Sequence, residues 1–337
     1  MENFRDSNNK NHLISNHDKI FIAGHKGLVG KSLTRKFKQY GFNNLVFADR
    51  KNLDLRDSNK VLDWFQINKP NVVIIAAAKV GGIKANNNFP VDFLLDNIKI
   101  QNNLIETSWK IGVRRLLFLG SSCIYPRNAK QPMTEDLLLT SNLEKTNEFY
   151  AIAKICGLKL CEALHKQYGF DAISLMPCNL YGPGDYYHPE NSHVIPSLIR
   201  RFDQAYREEN SEVICWGTGN VSREFLHVDD LSEACIFALK HWKISSTNAP
   251  KDEKGKPLLF LNVGTGKEIK LKDLAQIISR EIKFKGIISW DHSKPDGTPR
   301  KVLNIDKLKS LGWISNIELK VGIKDSIFDY QNNTVRM

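Results

Sequence analysis

Apolar and polar positions follow two alternating regimes along the first half of the chain. Lys19–Ala23 is a short apolar run that predicts a buried strand, and Gly27–Tyr40 behind it spaces its apolar residues at helical intervals. The pairing then recurs. Leu45–Asp49 reads as a strand and Asp57–Lys69 as a helix with Val61, Leu62 and Phe65 at core spacing. Asn71–Ala78 is apolar at nearly every position, as a parallel strand covered on both faces must be. A long helix over Val91–Ile111, a strand over Arg115–Ser121, a helix over Phe149–Tyr168 and a strand over Asp171–Met176 complete the series. This rhythm predicts an α/β fold: a Rossmann-like, doubly wound parallel sheet.

The pattern loosens after Pro177. Tyr181–Ser192 is a loop rich in Gly, Pro and aromatic residues, and Lys243–Pro257 is a polar surface loop. Between and beyond them the spacing predicts helices over Val194–Arg207, Asp229–His241 and Leu271–Ile282, and strands over Glu212–Trp216, Leu259–Val263 and Ile287–Trp290. The expected organisation is a polar N-terminal tail over residues 1–18, frayed and without the apolar core of a signal peptide, a dinucleotide-binding domain over 19–176, and a smaller substrate lobe over 177–337, partly interleaved with the first.

Composition narrows the function classes. No apolar run approaches the roughly 20 residues that span a bilayer, so no membrane role is expected. The net charge of +11 comes from basic residues scattered along the chain, without a basic stripe interleaved with aromatics. That distribution argues against a nucleic-acid partner and fits a lysine-rich surface that also attracts small polyanions. The six cysteines form no CxxC pair and no zinc-like spacing with His, so no metal is expected, and a reducing, cytoplasmic setting is the simplest.

The chemistry begins at Gly24-His25-Lys26-Gly27-Leu28-Val29-Gly30, a GxxGxxG turn between a strand and a helix. Small residues there let backbone N–H groups approach a pyrophosphate and let the helix pack on the strand. The second strand ends in Asp49-Arg50, where the ribose of a dinucleotide is read. The carboxylate favours the 2′-hydroxyl of NAD and the guanidinium the 2′-phosphate of NADP, so both cofactors stay open. Tyr150 and Lys154 lie one helical turn apart, and a nearby ammonium is expected to lower the phenol's pKa. They follow Ser121-Ser122, at the end of a buried strand, by about 30 residues. A glycine-rich turn, a post-strand Ser and YxxxK in this order define a hydride-transfer site. Cys123 could be a buried thiol and His193 a helix-capping residue; both also have pKa values movable toward neutrality.

With these motifs the chain resembles the extended short-chain dehydrogenase/reductases that act on nucleotide sugars. Leu119–Pro126 (LGSSCIYP), Asn191–Pro196 (NSHVIP), Arg223–Asp230 (REFLHVDD) and Lys294–Lys301 (KPDGTPRK) narrow the likeness to the branch that 3,5-epimerises and then 4-reduces GDP-4-keto-6-deoxy-D-mannose, from about Lys19 to Tyr330. The resemblance implies that Cys123 and His193 exchange the protons at C3 and C5, that Tyr150 protonates the C4 oxygen while NADPH supplies hydride, that Ser121 orients the ketone, and that Lys154 supports Tyr150 and the nicotinamide ribose. It implies cofactor contacts from Gly24 to Gly30 and from Arg50, Leu119, Gly120, Ser121, Ser122, Lys154, Pro177, Cys178, Asn179, Leu180 and His193. Substrate contacts are implied for Asn179, Arg201, Trp216, Arg223, Asp296 and Lys301, whose basic members suit a pyrophosphate. Sugar 4,6-dehydratases of the same family carry an acidic residue just after the Ser, where this chain has Ser122 and Cys123. A C4 epimerase, a dehydratase and a non-catalytic dinucleotide-binding regulator are the alternatives. A homodimer is expected, paired through the helices over Val91–Ile111 and Phe149–Tyr168.

Overall fold

The structure, a computed structural model, describes residues 12–294 and 296–333. In chain order the first half runs β1 (Ile20–Ala23), α1 (Leu28–Gln39), β2 (Leu45–Val46), α2 (Ser58–Asn68), β3 (Val72–Ile75), α3 (Ile83–Asn88), α4 (Pro90–Lys110), β4 (Arg115–Leu119), α5 (Glu148–Tyr168) and β5 (Ala172–Pro177). The second half continues with β6 (Asn179–Tyr181), α6 (Val194–Arg207), β7 (Glu212–Trp216), β8 (Ser222–His227), α7 (Val228–His241), β9 (Phe260–Val263), β10 (Glu268–Lys270), α8 (Leu271–Ile282), β11 (Ile287–Asp291), β12 (Arg300–Lys301), α9 (Asp306–Ser310) and α10 (Leu319–Asn332).

Six strands form one parallel sheet in the order β2-β1-β3-β4-β5-β9. Every residue of β1, β3, β4, β5 and β9 is buried, which is why these segments read as continuous apolar runs rather than alternating ones. Helix ends follow local chemistry. Asp57 caps α2 by accepting from the N–H groups of Asn59 and Lys60, both at 3.1 Å, and Gly169, left-handed at φ +68°, ends α5. Arg115, fully buried on β4, pairs with Asp171 and donates to the carbonyl of Ala238, at the end of α7. The sheet is thereby tied to a helix from the second half.

Two expectations change. The second strand stops at Val46, because β1 offers it only Ile20 and Phe21 as partners; Ala48 and Asp49 leave the sheet edge. Met1 to Asn11 of the expected tail lie outside the described residues, but His12–Asp18 is docked. Ile14 is buried in the main core, the N–H of Leu13 donates to the carbonyl of Lys240, and Arg114 pairs with Asp18.

Beyond β5, β8 is the centre of a small sheet. It pairs with β6 and β12 in parallel and with β10 antiparallel, while β7 and β11 pair separately. A second apolar cluster, including Tyr187, Ile199, Phe202, Ile278 and Ile323, packs among α6, α8 and α10. The sheet order reverses direction between β1 and β3, and the carboxyl ends of the strands at such a switch point are where open α/β sheets bind ligands.

Candidate active site

The turn after β1 lies at that switch point. Gly24 is left-handed at φ +88°, and a Cβ on it would lie 2.7 Å from the backbone nitrogen of Ala77; one on Gly30 would lie 2.1 Å from the carbonyl oxygen of Gly24. No side chain fits at either position, so α1 begins pressed against the strand ends. Gly27, its N-cap, makes no side-chain cap bond. The first-turn N–H groups of Leu28, Val29 and Gly30 have no intrahelical acceptor by construction, and they form a cradle that fits a dinucleotide pyrophosphate. At the edge of the cradle the Asp49 carboxylate lies 2.7 Å from Lys26 Nζ and 3.2 Å from His25 Nε2. The Lys26 hydrogen bond holds it below the usual carboxylate range. Arg50 is exposed next to this pair.

The reacting end is built on the end of β4. Lys154, only 4% exposed, points from α5 to donate to the carbonyl of Leu119 at 2.8 Å, with its Nζ 4.9 Å from the centre of the Phe118 ring. Burial lowers its pKa from 10.5 to about 8. Gly120 faces the sulfur of Met176, and Ser122 is buried in the short 3-10 turn Ser122–Ile124. Ser121 Oγ accepts from the N–H of Cys123 at 3.3 Å and is hydrogen-bonded to Tyr150. The phenol departs from the sequence expectation. Burial pushes its pKa up, the nearby Cys123 adds to the rise, and the Ser121 bond only partly offsets it. Lys154 Nζ stands 5.8 Å from the centre of the Tyr150 ring and donates one of its hydrogen bonds to Leu119, so burial wins over its charge. Tyr150 is therefore held as a proton donor.

Cys123 opens into a cavity of about 40 Å³ lined by Tyr125, Arg127, Gln131, Glu144, Asn147 and Lys301, among others. Its Sγ accepts from Asn147 Nδ2 at 3.2 Å and from Lys301 Nζ at 3.6 Å. Glu144 is the one carboxylate on that wall among the described residues, and Arg127 pairs with it at 3.2 Å. Asn147 escaped the sequence analysis. The available signal was an Asn one helical turn ahead of Tyr150, at the start of the same helix.

His193 is the N-cap of α6, but its side chain makes no cap hydrogen bond. The residue is exposed to solvent, yet the protein atoms around its ring lower its pKa by desolvation. The carbonyl of its neighbour Asn191 accepts from the N–H of Gly82, joining this loop to the segment after β3. Pro177, Cys178, Asn179 and Leu180 span the end of β5 and the start of β6, and Asn179 Nδ2 donates to the carbonyl of Glu224 at 2.8 Å. Further out, the Arg201 guanidinium lies 5.0 Å from the centre of the Trp216 ring, which is 49% exposed, and donates to the carbonyl of Ile214 at 2.9 Å. Arg223 donates to the main-chain carbonyl of Asp296 at 3.2 Å, and the Asp296 carboxylate accepts from Thr218 N–H and Oγ1 at 2.7 and 2.8 Å. Asp296 thus shapes a turn beside Arg223. Lys301 sits opposite Arg223 in the β8–β12 ladder, so the ladder ties these two basic residues together.

A glycine cradle at a sheet switch point, followed by Ser, Tyr and Lys around one strand end, defines a nicotinamide-dinucleotide enzyme of the epimerase/dehydratase type. The chain belongs to the NAD dependent epimerase/dehydratase family, whose model matches residues 20–248. It is 49% identical to GDP-L-fucose synthase 1 of Arabidopsis thaliana, over 94% of each chain. It is 48% identical to GDP-L-fucose synthase of Escherichia coli K12, over 90% of this chain and 94% of that one. Among solved structures, a GDP-mannoheptose C4 reductase from Campylobacter jejuni with NADP bound superposes with a TM-score of 0.84 at 34% identity, covering 95% of this chain and all of that one.

Proposed function

We propose that this protein converts GDP-4-keto-6-deoxy-D-mannose to GDP-L-fucose by inverting C3 and C5 and then reducing the C4 ketone with NADPH. One observation carries the reading beyond a family assignment: a thiol bearing two hydrogen-bond donors, Cys123, shares the cleft of Ser121, Tyr150 and Lys154. The only carboxylate on its wall among the described residues is engaged by Arg127. A dehydratase needs a free acid there; an epimerase needs a group that takes up and returns protons on carbon.

The C4 ketone acidifies the C–H bonds at C3 and C5, and Cys123 and His193 take and return those protons on opposite faces of the ring. Ser121 orients the ketone oxygen. Tyr150, protonated because its phenol is buried, delivers the proton to that oxygen. The reduced nicotinamide, when bound, supplies the hydride to C4. Lys154 stays charged below about pH 8 and holds the nicotinamide ribose. The cradle from Gly24 to Gly30 binds the dinucleotide pyrophosphate, Arg50 the 2′-phosphate, and Arg201, Trp216, Arg223 and Lys301 the GDP portion and its sugar. The pairing of Asp49 with Lys26 and His25 supports NADP over NAD, because the carboxylate that would repel a 2′-phosphate is already compensated. The exposed apolar side chains Val91 and Leu95 on α4 and Phe149 and Ile152 on α5 support pairing of two copies through these helices. The six free cysteines fit a cytoplasmic enzyme.

The test is NADPH consumption on GDP-4-keto-6-deoxy-D-mannose with the product identified by NMR. The likeness to a C4 reductase supports a second reading, reduction without epimerisation. Incubation in deuterated water separates the two: bifunctional enzyme places deuterium at C3 and C5, and Cys123→Ser loses that exchange while still binding NADPH. Product without deuterium at either carbon would leave only the reductase.

A further inference from the structure

Asn147 is the N-cap residue of α5, and Asn is among the residues best suited to cap a helix through its side chain. Here it makes no cap bond. Its amide instead donates to Cys123 Sγ at 3.2 Å, and its Oδ1 is buried with no hydrogen-bond partner among the described residues. A buried acceptor left unsatisfied costs free energy, so the arrangement calls for a donor supplied from outside the chain.

The other side chains of the cavity wall are already engaged or can only donate, which favours Asn147 as the acceptor for that donor. Arg127 and Lys301 can only donate. Glu144 accepts from Arg127 at 3.2 Å, from Thr146 N–H at 3.4 Å and from Thr298 Oγ1 at 3.5 Å. Gln131 Oε1 accepts from the N–H of Val302 at 2.9 Å. Cys123 Sγ already receives two donors. Asn147 Oδ1 is the side-chain acceptor here that is both buried and without a partner among the described residues, and the cavity that Asn147 lines, of about 40 Å³, has room for one hydroxyl-sized group.

We infer that Asn147 is a specificity-determining residue: its amide nitrogen holds Cys123 while its oxygen accepts a hydrogen bond from a ring hydroxyl of the sugar. The inference rests on the functional reading above, and the substrate's chemistry sharpens it. In a 4-keto-6-deoxy hexose linked through C1, the free hydroxyls are those at C2 and C3. One of these is the donor, so the same side chain that steadies the thiol registers the C2–C3 edge of the ring beside it.

The experiment compares GDP-4-keto-6-deoxy-D-mannose with its 2-deoxy and 3-deoxy analogues, following kcat/KM for NADPH oxidation by the wild-type enzyme, Asn147→Ala and Asn147→Asp. Wild type should lose about 10- to 100-fold on one of the two analogues, the range expected when a buried acceptor goes unpaired. Asn147→Ala should treat that analogue and the parent alike, and Asn147→Asp, which keeps an acceptor, should retain the preference. NADPH titration by fluorescence checks that each variant is folded; if Asn147→Ala fails to bind the cofactor, Asn147→Asp decides. An Ala variant that discriminates as wild type does, an Asp variant with no preference, or a wild type indifferent to both hydroxyls would overturn the assignment while the enzyme's activity stands. A wild type that binds NADPH but never oxidises it with the parent substrate removes the functional reading, and this inference with it.

Discussion

Replacing Lys154 with Met should make the cofactor-free protein more stable at neutral pH while abolishing its activity. The ammonium is 4% exposed, and its pKa falls from 10.5 to about 8 because burial removes its water. Converted at 1.36 kcal/mol per pKa unit, that drop means the charged side chain is about 3 kcal/mol worse placed in the folded chain than its neutral form. Met fills the same channel without charge. It forfeits the 2.8 Å bond to Leu119 and leaves that carbonyl without its donor, a loss of about 1 kcal/mol. The net gain at pH 7 is about 2 kcal/mol. Its pH dependence has a definite sign. Between about 8 and 10.5 the unfolded chain binds more protons at this site than the folded one, so wild-type stability rises with pH across that window. The variant lacks this rise, and its advantage should shrink from pH 8 upward and vanish near pH 10. Urea melts of both proteins at pH 7 and pH 10, in reductant and without cofactor, measure this. A variant less stable at pH 7, or a difference that does not change with pH, would refute the claim that desolvation dominates at Lys154.

Other outcomes follow from the same site. Reductase activity should decline as pH rises through about 8, as Lys154 loses its proton, and a pH profile of kcat/KM for NADPH checks it. Gly30→Ala puts a Cβ 2.1 Å from the Gly24 carbonyl oxygen, so it should cost about 1–3 kcal/mol and abolish NADPH binding, read by denaturant melts and fluorescence titration. Asp49→Asn releases Lys26 and should tighten NADPH binding several-fold, on the scale of one charge interaction near a protein surface, while leaving NADH little changed; equal changes for both cofactors would contradict a 2′-phosphate site there. Ile152→Arg, on the exposed face of α5, should yield monomers by light scattering if two copies pair through α4 and α5.

Much of the first half was legible because parallel strands buried on both faces leave little ambiguity. Val72–Ile75 and Arg115–Leu119 carry apolar side chains at nearly every position, and the intervening helices keep their spacing. The Gly24–Gly30 turn and the Ser121, Tyr150, Lys154 set were readable because backbone approach and proton transfer restrict the residue types allowed. Strands β6, β8, β10 and β12 were not. Each is six residues or shorter, and β8 mixes Arg223 and Glu224 with Phe225 because its partners, not its own pattern, place it in a sheet. The raised pKa of Tyr150 was also out of reach. Spacing places Lys154 on the same face of the helix, but only the fold shows its ammonium committed to Leu119. Asn147 was hidden for a similar reason: its sulfur partner lies 24 residues upstream.

The contact between Lys301 and Cys123 joins residues 178 positions apart, and this has a consequence for the protein's life on the ribosome. The cradle, the strand ends and the Tyr–Lys pair are all encoded before residue 155, whereas the lysine that reaches the thiol arrives 147 residues after Lys154. At synthesis rates of roughly 5–20 residues per second, that interval lasts roughly 7–30 s. During it the nascent chain carries the glycine cradle and the Tyr–Lys pair but not the complete wall around the thiol. The wall around the thiol is therefore completed only once Lys301 has been made and has folded back across 178 positions to reach Cys123.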